Sequence, residues 1–93
     1  MEFEWDDEKA ASNRKKHGVS FEEAMTVFGD PLAAIFDDEE HSMGEHREII
    51  VGYSIHNQLV LVSFTERSGG VRIISARLAT GRERKDHEKN NRP

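Results

Sequence analysis

Apolar residues follow two rhythms along this chain, and the change falls at Pro31. Before it the spacing is helical. "FEW" (3–5) predicts a short strand, and Asp6 then offers an N-cap, with Asp7 and Glu8 in the first turn where the helix dipole favours anions. The following "DEKAASNRKKHG" predicts a helix with Arg14, Lys15, Lys16 and His17 in its last turn and Gly18 as its stop. Ala10 and Ala11 are almost its only apolar side chains, so it should lie lightly on the rest. "VSFEEAMTVFGD" predicts a second helix: Ser20 and Glu23 have capping-box spacing, and Phe21, Ala24, Met25 and Phe28 form one apolar face. Two helices joined by so short a turn make an angled hairpin.

After Pro31 the pattern is that of strands. "LAAIF" (32–36) is followed by the acidic loop "DDEEHSMGEH" (37–46), then by "REIIVGYSI" (47–55), the turn "HNQ", "LVLVSFTER" (59–67), the turn "SGG" (68–70) and "VRIISARL" (71–78). The strand centres are apolar on both faces, so helices or a partner should cover both, at least in part. Thr80 and Glu83 repeat the capping-box spacing and open a polar C-terminal helix, "GRERKDHEKN", too short to be stable undocked. The expected fold class is α+β, in the order β-α-α-β-β-β-β-α: a curved, mainly antiparallel sheet with two N-terminal helices and a C-terminal helix.

Composition narrows this picture. Ninety-three residues make one domain, 1–93, with a modest core. The absence of cysteine excludes disulfides, thiolate catalysis and Cys-based metal sites. Apolar runs are far too short for a membrane span, and the acidic start lacks an apolar signal region, so a cytoplasmic location is expected. The net charge of −5 hides an uneven distribution: residues 1–56 carry 14 acidic and 5 basic side chains, residues 57–93 carry 4 and 8. The C-terminal part is therefore locally basic, compatible with an anionic partner.

The last two strands both place arginines at their ends. Strict alternation puts Leu59, Leu61, Ser63, Thr65 and Arg67 on one face of their strand, and Val71, Ile73, Ser75 and Arg77 on one face of theirs. Arg67 and Arg77 then stand at opposite ends of a hairpin, with Arg72 nearer Arg67, and Arg82, Arg84 and Lys85 follow on the helix. The planar guanidinium suits phosphate oxygens and stays charged at any working pH. RNA carries its own nucleophile, the 2′-hydroxyl, so cleaving it requires only proton transfer and phosphate stabilisation; His17, His87 and Glu66 are candidates for the former. A purely structural role is the competing reading: strand-end arginines cover apolar surface with their stems or pair with the carboxylates of 37–48. The nuclease reading requires the arginines of the last two strands to converge on one anion-accepting cleft. His41, His46 and His56, close to four acidic residues at 37–40, invite a metal site, but their spacing matches no helical or finger motif and none is expected. Trp5 and Phe3 are expected in the core.

The pieces "FEWDDEKAASNRKKHGVSFEEAMTVFGDP", "EHREIIVGYS", "LVLVSFTER" and "VRIISARLATGRERKDHE", in this order, resemble the BrnT family of bacterial toxins from type II toxin–antitoxin systems. The resemblance implies a RelE-like fold and a ribonuclease activity that inhibits translation. It also implies neutralisation by a BrnA-type ribbon-helix-helix antitoxin, with DNA contacted only through the toxin–antitoxin complex. Arg67 in "TER" and Arg77 in "SAR" match the strand arginines of the family pattern, and His87 stands where many relatives have a tyrosine. Lys16 and His17 lie in the "KHG" piece. The expected activity is that of a metal-independent endoribonuclease with no cofactor. Arg77, Arg67, His17 and His87 would be catalytic, and Lys16, Arg72, Arg82, Arg84 and Lys85 would bind RNA. The alternative is a non-catalytic protein-binding module, or an inactive toxin that acts only with its antitoxin in operon repression.

Overall fold

The computed structural model describes residues 1–90; the last three residues of the domain expected over 1–93 lie outside the described residues. Strand β1 (Glu2–Glu4) leads into helix α1 (Asp7–His17) and helix α2 (Phe21–Thr26), which runs on into a single 3-10 turn (Val27–Gly29). Strands β2 (Ala34–Asp37), β3 (Glu48–Tyr53), β4 (Leu59–Arg67) and β5 (Gly70–Leu78) follow, and helix α3 (Gly81–Asn90) closes the order. The five strands form one open sheet in the order β1-β5-β4-β3-β2. All neighbours are antiparallel except β1, which lies parallel to the first three residues of β5.

The predicted caps form. Asp6 Oδ1 accepts from the backbone N–H of Glu8 and Lys9, Ser20 Oγ accepts from that of Glu23, and Gly18 ends α1 in the left-handed region at φ 71°. The β4–β5 turn is tight because Ser68 and Gly69 both take positive φ, as a two-residue hairpin loop of the right twist demands.

Helices α1 and α2 cover one face of the sheet. Phe21, Ala24 and Val27 meet Ile50, Val60, Val62, Phe64, Val71, Ile73 and Ala76 in a continuous core, with Phe3 and Trp5 packed against it. Phe28 bridges Phe3 and Phe64 edge-on, at centroid distances of 5.1 and 5.0 Å. Burial of each large side chain here contributes about 1.5–3 kcal/mol.

One expectation fails. Val71, Ile73, Ser75 and Arg77 do not share a face. Opposite Ser63 and Phe64 the register jumps: Ser63 pairs with Ser75, but Phe64 pairs with Ile73, leaving Ile74 as an extra residue. This bulge shifts the alternation by one. Val71 and Ile73 enter the core ahead of it and Ala76 after it, while Ser75 and Arg77 turn to the opposite, open face.

Helix α1 is held by a polar contact rather than an apolar stripe. Its one buried side chain is Asn13. The Asn13 amide donates to the carbonyl oxygens of Ala76 (2.8 Å) and Val19 (3.1 Å), and its Oδ1 accepts from the Ala76 N–H (3.0 Å). Strand β1 pairs only with residues 70–72, so the outer edge of β5 beyond them is open, and Asn13 takes the place of a strand there. Replacing Asn13 by alanine should leave buried backbone groups unpaired and cost about 2–3 kcal/mol in chemical denaturation. The same change at the exposed neighbour Ser12 should stay within about 0.5 kcal/mol.

Candidate functional site

The open face of the sheet carries Ile49 and Val51 from β3, Leu61 and Ser63 from β4, and Ser75 and Arg77 from β5, because these are register partners or two-residue repeats of one another. Helix α3 folds back over part of this face. Arg77 fastens it: the guanidinium donates through Nη1 and Nη2 to Glu83 Oε1 and Oε2, at 2.8 and 2.9 Å, in a two-pronged fork. Glu83 Oε1 also accepts from the backbone N–H of Thr80 at 2.9 Å, while Thr80 Oγ1 accepts from the N–H of Glu83 at 3.2 Å. A single carboxylate thus closes the helix cap and holds the arginine. The hydrogen bonds from Arg77, and then that from Thr80, pull the Glu83 carboxyl down to about 2. The same bond raises Arg77 above its already high value.

Two hollows adjoin this pair. One, of about 90 Å³, is lined by His17, Ser63, Ser75 and Arg77. The other, of about 300 Å³, lies between α3 and the apolar side chains Ala34, Phe36 and Val51, with His87 and Glu83 on its helix side. Both share Ile49 and Leu61, so the Arg77–Glu83 pair stands at their boundary. His17 reaches the smaller hollow because Asn13, one helical turn earlier, anchors α1 to the edge of β5 at Ala76. A guanidinium, an imidazole and two hydroxyls around one small hollow can hold the oxygens of an anion and move a proton beside it.

The other predicted residues are placed elsewhere. Arg67 binds Glu45 through Nε and Nη2, at 2.9 and 3.1 Å, next to the β4–β5 turn. It stands six positions along β4 from Leu61, the partner of Arg77, which is about 20 Å at strand spacing. Arg72 joins the open face through the bulge but lies beside Glu4, at 3.6 Å. The strand arginines therefore do not converge on one cleft: each has a carboxylate partner, and Arg77 is the one beside His17. All three pairs reach the surface, where such contacts are weak and exchangeable. Lys16, Arg82, Arg84, Lys85 and Glu66 are exposed. His87 is buried, its ring edge-on to Tyr53 at 6.0 Å, rather than a solvated helix residue.

The pattern alone did not reveal Asn13 or the second partner of Glu83. A lone amide in a helix without an apolar stripe is the signal for the first. For the second, the Thr80–Glu83 capping box was legible but its reach to Arg77 was not.

Stability from the Arg77–Glu83 pair is fully present above the unfolded carboxylate value, roughly 4.3, and is lost as pH falls toward about 2, since the folded value is the depressed one. Protection of the α3 amides, taken relative to the intrinsic exchange rate at each pH, should hold steady from neutral pH down to that range and fall below it. In Arg77→Ala, carbon-13 titration of Glu83 should place its carboxyl most of the way back to the ordinary value.

The family model for the ribonuclease toxin BrnT of type II toxin–antitoxin systems matches residues 5–83. That span includes His17, Ser63, Ser75, Arg77 and Glu83 and stops short of His87. No curated protein matches the sequence. The crystal structure of the Brucella abortus ribonuclease toxin BrnT has the same fold, with a TM-score of 0.66 at 23% identity, covering 86% of this chain and 97% of that one. No helix among the described residues is long and apolar enough to cross a membrane. With its α+β sheet, its three helices and a family match over most of its length, the chain belongs to the BrnT family of ribonuclease toxins of type II toxin–antitoxin systems.

Proposed function

We propose that this protein is a cytoplasmic toxin that inhibits translation by cleaving RNA without a metal ion, through attack of the substrate's own 2′-hydroxyl on the adjacent phosphate. The strand arginines do not converge as expected from the sequence; the observation that carries this reading instead is the hollow that Arg77, alone among them, shares with His17, Ser63 and Ser75. Attack by the 2′-oxygen builds charge on the phosphate oxygens as the bond to the 5′-oxygen breaks, leaving a 2′,3′-cyclic phosphate. Arg77 stabilises that charge, and His17 takes or gives one of the two protons that must move. Lys16, on the same turn as His17, and Arg82, Arg84 and Lys85 on α3 grip the flanking backbone. Arg67 and Arg72 serve phosphates further along the strand. His87, on the buried face of α3, enters only if that helix shifts.

A phosphate and Glu83 present the same oxygens to the same fork, so RNA must compete with Glu83 for Arg77. A BrnA-type ribbon-helix-helix antitoxin neutralises the toxin, and DNA is reached through that complex alone. The rival reading, a non-catalytic protein that acts only together with its antitoxin, draws on the fact that Arg77 is already occupied.

Purified protein with a labelled RNA in excess EDTA decides between them. The proposal expects cleavage to a 2′,3′-cyclic phosphate end and no cut where the scissile nucleotide is 2′-deoxy. Cleavage that needs Mg²⁺, or that proceeds at the deoxy position, contradicts the mechanism; intact RNA with folded protein favours the rival. Glu83→Gln keeps the capping box while weakening the competitor for Arg77. It should tighten RNA binding by up to about fivefold, the worth of an exposed ion pair, and this is measurable by fluorescence anisotropy at fixed salt.

A further inference from the structure

A second cluster of ligating side chains lies at the far ends of β2 and β3, away from Arg77. Asp37 and Glu48 are direct cross-strand partners. Like charges in that position repel. His46 comes back to the same spot from the acidic loop, its Nε2 3.1 Å from Asp37 Oδ1. One ligand atom from each of Asp37, His46 and Glu48 lies within 4.8 Å of the other two. We propose that these three residues bind a divalent transition cation of the zinc class, which ties the acidic loop to the sheet.

The donor set fits such an ion. One imidazole nitrogen and two carboxylates are borderline ligands that suit zinc, with water completing the shell. Metal–ligand bonds of about 2.0–2.2 Å hold neighbouring donors roughly 3–3.6 Å apart; Asp37 and His46 already have that spacing, and their separation from Glu48 must close by at most about 1 Å. Asp37 and His46 can do this freely, because their side chains are 61% and 62% exposed.

The backbone frame behind them is fixed. The His46 carbonyl accepts from the buried hydroxyl of Thr65 at 2.7 Å. The loop is closed at its base by the N–H of Asp38 donating to the carbonyl of Arg47 at 2.9 Å, and by Ser42 Oγ, which donates to Asp38 O at 2.6 Å and accepts from Arg47 N at 3.0 Å.

A simple histidine–aspartate ion pair explains two of the three residues. It does not explain Glu48, a half-buried second carboxylate brought into the same small circle, which a 2+ charge would neutralise together with Asp37. His41 forms its own pair with Asp38, at 3.0 Å, and is not part of the set. The site stands independently of the RNA-cleavage proposal.

Zinc titration of the full-length protein by calorimetry, with the unfolding temperature followed in parallel, tests this. The expected result is saturable 1:1 binding and a higher unfolding temperature with zinc. His46→Ala and Glu48→Gln should each weaken binding about tenfold or more, while His41→Ala and His56→Ala leave it unchanged. His46→Ala keeps the backbone carbonyl that Thr65 holds, and circular dichroism of the metal-free variants confirms folding. No saturable binding below about 1 mM zinc, or binding that survives His46→Ala and falls with His41→Ala or His56→Ala, overturns the proposal.

Discussion

The extra residue in β5 decides which side chains the open face of the sheet presents. Strict alternation from Ile73 would carry Ser75 and Arg77 into the core beneath the N-terminal helices. An unpaired guanidinium there would cost far more than one lost ladder contact. The bulge at Ile74 lets Val71, Ile73 and Ala76 all be buried while Arg77 emerges on the open face. Two consequences follow from that one shift. Arg77 meets the first turn of α3, and the backbone of Ala76 is presented at the sheet edge, where Asn13 binds it and brings His17 round to the same end.

The helix over the open face is held mainly through charge and caps. Its sequence is polar and its ten residues are too few to persist alone. What docks it is the fork between Arg77 and Glu83, the burial of His87 against Tyr53, and a 3.4 Å contact from the Tyr53 hydroxyl to Glu88. A helix held in this way can be loosened by whatever competes for Arg77. The element with the most basic side chains in the C-terminal part is thus coupled to the arginine beside the imidazole of His17.

Much of the fold was legible because local signals agreed with one another. Asp6, Ser20 and Gly18 mark helix ends by capping chemistry that acts within a few residues, and the Ser68–Gly69 turn is set by its own backbone preference. The order of elements follows from these. The faces of β5 were not legible, since a bulge depends on which side chains the rest of the core must bury, and no residue in "RIISAR" announces it. The site was partly legible. Arg77 and His17 were singled out by type and position, but the expected convergence of arginines was not found, because Arg67 stands six positions along β4 from the partner of Arg77 and meets Glu45 there, while Arg72 meets Glu4. Burial of His87 was equally hidden in a helix of charged neighbours.

The account places the reacting phosphate at the Arg77 end of the hairpin and makes Arg67 a remote contact. Single-turnover cleavage of one RNA by Arg77→Ala and by Arg67→Ala, each shown to be folded, tests this most directly. The account predicts that the first loses at least about a hundredfold in rate, in line with removal of one transition-state charge donor, while the second keeps its rate constant and only binds RNA more weakly. Equal losses in both variants, or a larger loss in Arg67→Ala, would contradict it.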